Sequence, residues 1–161
     1  MRYTTKLDTA AIIITTALTF LFAALIMWQW SISDKIGHSA PIFTTFICVL
    51  IYLISYALWP LRYSITGDEV IVHRLFRNVH IKIPDITQVS VIPRREIFGS
   101  FRAFGVGGLF GYTGSFVNAS VGRMSWYATN LNKAVLIVAG TDKRIILTPE
   151  EREQFIATLK M

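Results

Sequence analysis

At 161 residues the chain has room for one modest domain and little more. It is 53% hydrophobic, with mean hydropathy +0.49, and the apolar excess lies mostly before Pro60. Net charge is +6, and 13 of the 16 Lys and Arg residues fall at or after Arg62. The single cysteine, Cys48, sits inside an apolar run, which excludes a disulfide framework and a cysteine metal site.

The first apolar run, Ala10 to Trp30, carries no charge. A helix of about 21 residues rising about 1.5 Å per residue covers roughly 30 Å, the hydrocarbon thickness of a bilayer. Its threonines can return their hydroxyls to the preceding turn, and Trp28 and Trp30 suit an interfacial aromatic belt. The second run, Pro41 to Trp59, is also uncharged. Pro41 fits a first helical turn, and Pro60 discourages helix beyond Trp59. The link Ser31–Ala40 is short and nearly neutral. Arg2 and Lys6 before the hairpin, and Arg62, Arg74 and Arg77 after it, place both termini on the cytoplasmic side of an inner or plasma membrane, by the excess of positive charge there. The hairpin interior is uncharged and shows no ion path or proton relay, which argues against transport.

After Pro60 the apolar period changes to two. Arg62–Thr66, Glu69–Leu75, Val79–Ile83, Gln88–Ile92, Arg123–Thr129, Ala134–Ala139 and Arg144–Leu147 read as strands separated by turn residues. Thr148, Pro149 and Glu151 form the start signal of a tail helix: N-cap, N1 and the acid of a capping box. Phe155, Ile156 and Leu159 give that helix an apolar stripe. The expected architecture is an α-helical transmembrane hairpin followed by a small antiparallel β-barrel or sandwich of about seven strands, with a C-terminal α-helix over one open end. Residues 1–60 are the hairpin, with spans at about 10–30 and 41–59. Residues 61–161 are the β domain, with its helix at about 149–160.

The strand order with its terminal helix resembles the pleckstrin-homology (PH) fold. The string Gly105-Val106-Gly107-Gly108-Leu109-Phe110-Gly111-Tyr112, followed by Tyr127-Ala128-Thr129-Asn130, is similar to bacterial PH-domain proteins that pair a membrane hairpin with one such domain. The resemblance covers about Arg62 to Leu159. It implies a binding module, not an enzyme. Phosphoinositide-binding PH domains place basic residues around the first hairpin; here that turn is Gly67-Asp68-Glu69, which is acidic and argues against a phosphoinositide pocket at that place.

Pro93–Gly122 has no clear period and is long for a loop in a compact domain, a length that points to function or to unrecognised structure. Arg94, Arg95, Arg102 and Arg123 face one acid, Glu96, and phenylalanines and glycines lie between them. Arginines attract anionic lipid and aromatic rings suit the headgroup layer. Arg94, Arg95, Phe98, Phe101, Arg102 and Phe104 are therefore expected to contact lipid headgroups or a protein partner. The glycine string is not a dinucleotide fingerprint, because its third glycine, Gly111, falls one residue late and no βαβ unit surrounds it. His73 and His80 flank a predicted turn and could approach across it, but a zinc pair needs a third ligand. No catalytic constellation, cofactor motif, small-molecule substrate site or nucleic-acid reader is present in the sequence. The expected function is a non-catalytic, membrane-anchored binding or scaffold module that takes a protein partner or anionic lipid headgroups at the cytoplasmic face. The alternative is an accessory subunit that packs against a larger membrane protein through Thr15, Thr16, Thr19 and Ser55 of its spans.

Overall fold

The structure is a computed structural model and describes residues 1–159, the Ile36 side chain excepted. Strand β1 (Arg2–Thr4) precedes two long helices, α1 (Thr9–Ser31) and α3 (Ser39–Leu58), which are joined through the single turn α2 (Ser33–Ile36). Asp8 caps α1 by accepting from the Ala11 N–H at 2.7 Å. α3 stops because Trp59, which precedes Pro60, is forced to extended backbone (φ −60°, ψ 127°). The helices touch through Thr19 and Tyr52, whose hydroxyls lie 3.3 Å apart, and through the Trp30 indole N–H, which donates to the Thr45 hydroxyl at 3.2 Å. Both are long and apolar enough to cross a membrane, and almost none of their apolar surface is buried within the protein. Core helices of a soluble protein of this size would hide that surface; these leave Ile13, Phe20, Met27, Phe43 and Phe46 bare.

Among the described residues ten strands form two sheets. The first sheet orders β1, β2 (Arg62–Thr66), β3 (Glu69–His73) and β4 (Val79–Lys82), all antiparallel. The second contains β5 (Ile86–Val91), β6 (Phe101–Gly107), β7 (Tyr112–Asn118), β8 (Gly122–Ala128), β9 (Val135–Ala139) and β10 (Lys143–Leu147). Its spatial order is β5-β9-β10-β8-β7-β6, and β10 runs parallel to β8. The result is a sandwich and not a closed barrel. All seven expected strands are present, and three more were not expected. β1 lies in the short N-terminal flank, where three residues give no readable period. β6 and β7 lie in the segment expected to be aperiodic, where glycines and a bulge hide the alternation.

Alternation along the strands builds the main core between the sheets. Tyr63, Ile65, Val70, Val72 and Ile81 of the first sheet meet Val135, Ile137, Ile145 and Leu147 of the second. Helix α5 (Arg152–Leu159) adds Phe155, whose ring meets Tyr3 edge-on at 5.0 Å. The opposite face of the second sheet holds a separate core in which Phe116, Met124, Trp126 and Ile146 pack with Ile97 of the single turn α4 (Arg94–Ile97).

The expected capping box does not form. The helix begins at Arg152, three residues after Pro149, and its first bond runs from the Phe155 N–H to the Glu151 carbonyl. Thr148 is committed elsewhere: its buried hydroxyl accepts from the Thr129 N–H at 2.8 Å and the Asn130 N–H at 3.3 Å. Joining the ends of β8 and β10 outweighs a solvent-facing cap, because an unpaired buried donor costs about 1–3 kcal/mol. The expected helix end at 160 lies outside the described residues.

Tyr63 binds the same corner. Its hydroxyl donates to the Tyr127 carbonyl at 2.6 Å and accepts from the Thr148 N–H at 3.2 Å, and burial pushes its pKa up to about 12. Tyr63→Phe is expected to lower unfolding free energy by about 1–3 kcal/mol, because both partners lose their bond in a dry site. Chemical denaturation in detergent measures it. A loss under about 0.5 kcal/mol would show that water replaces the hydroxyl.

Candidate functional site

The site is built on the β6–β7 hairpin. Residues 108–111 form its turn, closed by the Gly108 N–H donating to the Gly111 carbonyl at 2.7 Å. Phe110, at φ +58°, is the one described residue other than glycine in left-handed backbone. That conformation aims its ring into the aromatic end of α3, 4.9 Å from Tyr52, 5.4 Å from Tyr56 and 6.0 Å from Trp59. On the α1 side, the Thr15 hydroxyl donates to the Gly108 carbonyl at 3.1 Å and accepts from the Phe110 N–H at 3.0 Å. The glycine–aromatic string is thus the joint between the β domain and the apolar hairpin.

Along β6, Arg102 pairs with Phe116 and Phe104 pairs with Ser115, so Ala103 is an extra residue in a bulge. Without that bulge, Phe101 and Phe104 would point to opposite faces. With it, both lie on the face that carries Val117 and Ser115. Phe101 is 83% exposed and Phe104 is 81% exposed. They are bare because the main core takes nothing from β6 or β7: the first sheet covers the other strands and stops short. Thr113, two residues before Ser115 on that same face, donates from its hydroxyl to the Leu58 carbonyl at the end of α3, at 3.4 Å. The bare strip of Phe104, Phe101 and Val117 therefore starts about 7 Å from the end of the apolar hairpin, at about 3.4 Å per strand residue.

The six residues singled out in the sequence divide over two faces. Phe101 and Phe104 form the strip. Arg94, Phe98 and Arg102 line a cleft of about 440 Å³ on the other face of the sheet, floored by Phe116, Trp126 and Tyr112. Arg95 is exposed on α4 and belongs to neither. Among the described residues no carboxylate lies within ion-pair distance of Arg94, Arg95 or Arg102. The Tyr112 hydroxyl donates to Asp8 at 3.4 Å, and burial, reinforced by the Asp8 charge, pushes its pKa up to about 12.

His73 and His80 do not meet. The His73 ring pairs with the Ser64 hydroxyl at 2.7 Å and His80 with Glu69 at 2.8 Å. Burial lowers the His73 pKa, and the Arg62 and Arg2 charges add to it.

Three contributors were missed in the sequence. Val117 lies in the segment without a visible period. Leu75 and Phe76, 58% and 79% exposed, sit in the β3–β4 turn, where the Phe76 N–H donates to the Ala57 carbonyl of α3 at 3.2 Å. An exposed Leu-Phe pair between Arg74 and Arg77 was the available signal.

The profile of one family, described as Bacterial PH domain, matches residues 61–161. No curated protein and no solved structure is detectably similar to the chain. The matched region holds the two-sheet sandwich apart from β1, the terminal helix and the glycine–aromatic joint, and its family generally serves as a non-catalytic binding module. On that match and this architecture, the chain belongs to the bacterial PH-domain family.

Proposed function

We propose that the chain is a bilayer-anchored binding module whose bare β6–β7 strip docks on anionic lipid headgroups beside its own hairpin, on the cytoplasmic face. The observation that carries this reading is continuity. The face of β7 that bonds the end of α3 at Leu58 runs without interruption into Val117 and the Phe101–Phe104 pair. Apolar rings next to the end of a membrane-crossing helix meet the headgroup–acyl boundary. Arg94 and Arg102 on the other face of the sheet, and Arg95 on α4, meet no carboxylate, and each adds about 1 kcal/mol of attraction to an anionic surface. Leu75 and Phe76, fixed to Ala57, give the domain a second contact at the same depth. The accessory-subunit reading loses support, because three of the four polar groups it names, all but Thr16, are used internally. Thr15 serves the Gly108 turn, Thr19 meets Thr15 and Tyr52, and Ser55 returns to the Ile51 carbonyl.

The test uses the full chain in nanodiscs, with Cys48→Ala and a bimane fluorophore on Val117→Cys. Lipid-borne quenchers are expected to reduce its emission, more strongly as anionic lipid replaces neutral lipid. Reversing Arg94, Arg95 and Arg102 to Glu removes about 3 kcal/mol of attraction or more, and is expected to abolish the dependence on lipid charge. Solvent-like, unquenched emission at every composition would overturn lipid docking and leave the strip to a protein partner.

A further inference from the structure

The cleft on the other face of the second sheet shares only Arg94 and Arg102 with the docking reading, and its chemistry is specific. Its floor is apolar: the Phe116 and Trp126 rings stack at 4.1 Å with 15° between their planes, and Tyr112 meets Trp126 edge-on at 6.3 Å. Its rim is cationic. The Arg102 side chain lies over Gly107, where a β-carbon would stand 3.5 Å from its guanidinium. Arg94 reaches no further than a 3.4 Å bond to the Asn132 side chain.

Trp126 supplies the independent sign of a ligand. It is 3% exposed, yet its indole N–H is buried without any acceptor. Folding leaves few such donors unsatisfied, and each calls for a partner. The Asp8 carboxylate, which bonds Tyr112 on the cleft floor, accepts from the Ala11 and Leu131 N–H groups and from the Tyr112 hydroxyl, and does not serve the indole. Two guanidinium groups without a carboxylate and one orphan N–H around an apolar floor are all donors, and what is missing is an acceptor that carries negative charge.

We propose that this cleft binds an anionic amphiphile: a carboxylate or phosphate joined to an apolar group. The anion bridges Arg94 and Arg102 and accepts from the Trp126 indole, while the apolar group lies along Ile97, Phe98 and Leu131. A cleft of about 440 Å³ admits a headgroup with a short acyl or aromatic portion. The same chemistry comes from a soluble alkyl phosphate or from a bilayer lipid.

The experiment observes the indole itself. The full chain is labelled with ¹⁵N-tryptophan in nanodiscs, and the Trp126 resonance is identified by its loss in Trp126→Phe. The probes are octyl phosphate added from solution, phosphatidic acid built into the disc, and octanol as the neutral control. Octyl phosphate or phosphatidic acid is expected to shift the Trp126 indole proton downfield and leave Trp28 and Trp30 in place. Whichever arm responds names the source. The Arg94→Gln/Arg102→Gln double variant is expected to weaken the response at least tenfold, with the unperturbed tryptophan resonances certifying its fold. Phe101→Ser/Phe104→Ser, which removes the docking strip, is expected to leave the response intact, so the two readings fail separately. Silence of Trp126 to both anions, or an equal shift with octanol, would overturn the proposal.

Discussion

Gly105→Val is expected to destroy the β6–β7 hairpin, and with it both the docking strip and the joint to the apolar hairpin. Gly105 stands directly opposite Gly114, and both lie at positive φ, +114° and +133°. A β-carbon on Gly105 would come within 2.1 Å of the Thr113 carbonyl oxygen, and one on Gly114 within 2.2 Å of that of Phe104. Backbone atoms cannot rotate away as a side chain does. The substitution therefore combines conformational strain of about 1–3 kcal/mol with an overpacking cost of about the same size. A loss of roughly 3 kcal/mol or more is expected, a large share of a small domain's stability. Gly99→Ala separates the two causes. Gly99 is also at positive φ, +80°, but nothing lies within 4 Å of its would-be β-carbon, so strain alone of about 1–2 kcal/mol is expected. Denaturation followed by the emission of Trp126, which stacks on Phe116 of β7, reports both variants. Equal losses would show that the close strand approach contributes nothing.

The contrast between these glycines explains what the sequence could disclose. Where side chains alternate without interruption, as in Val70–Val72 or Val135–Ile137, the strand is legible because every second residue must be apolar to fill the core. β6 defeats that rule twice. Its Ala103 bulge resets the alternation, so Phe101 and Phe104 share a face at a spacing of three. Its glycines contribute no side chain to a period at all. The aromatic and basic content of the segment was visible, and so was its excess over an ordinary loop. The division of Arg94, Phe98 and Arg102 from Phe101 and Phe104 was not, because it depends on which way one extra residue turns the strand. The same limit applies to Thr148. Locally it is a good N-cap, yet two buried N–H groups from residues 129 and 130 compete for its hydroxyl and win. The two apolar helices were fully legible, since length and absence of charge suffice for them. Their attachment to the domain was not, because it runs through single polar atoms such as the Asp8 carboxylate and the Thr15 hydroxyl.

Asp8→Ala is expected to loosen that attachment and cost about 2–4 kcal/mol. Asp8 is 5% exposed, and its carboxylate does two jobs. One oxygen caps α1 at the Ala11 N–H, 2.7 Å away, and meets the Tyr112 hydroxyl at 3.4 Å; the other accepts from the Leu131 N–H at 3.3 Å. Its own N–H donates to the Thr129 carbonyl at 2.9 Å, so the backbone position is held whatever the side chain. Loss of an N-cap costs about 0.5–2 kcal/mol, and the Leu131 donor left without a partner adds about 1–3 kcal/mol. Asp8→Asn keeps an acceptor for the cap but turns an amide toward one of the remaining donors, so about half the loss is expected. Tyr112 gives a readout that general destabilisation does not move in the same way. The Asp8 charge is second only to burial in holding the Tyr112 pKa at about 12. Removing that charge eases ionisation, so the Tyr112 phenolate is expected to appear at lower pH in Asp8→Ala, and in Asp8→Asn as well. Ultraviolet difference titration against a Tyr112→Phe reference isolates it. An unchanged Tyr112 titration in both variants would mean that the Asp8 carboxylate does not face Tyr112, and that α1 is tied to the domain through the Asp8 backbone and the Thr15 hydroxyl.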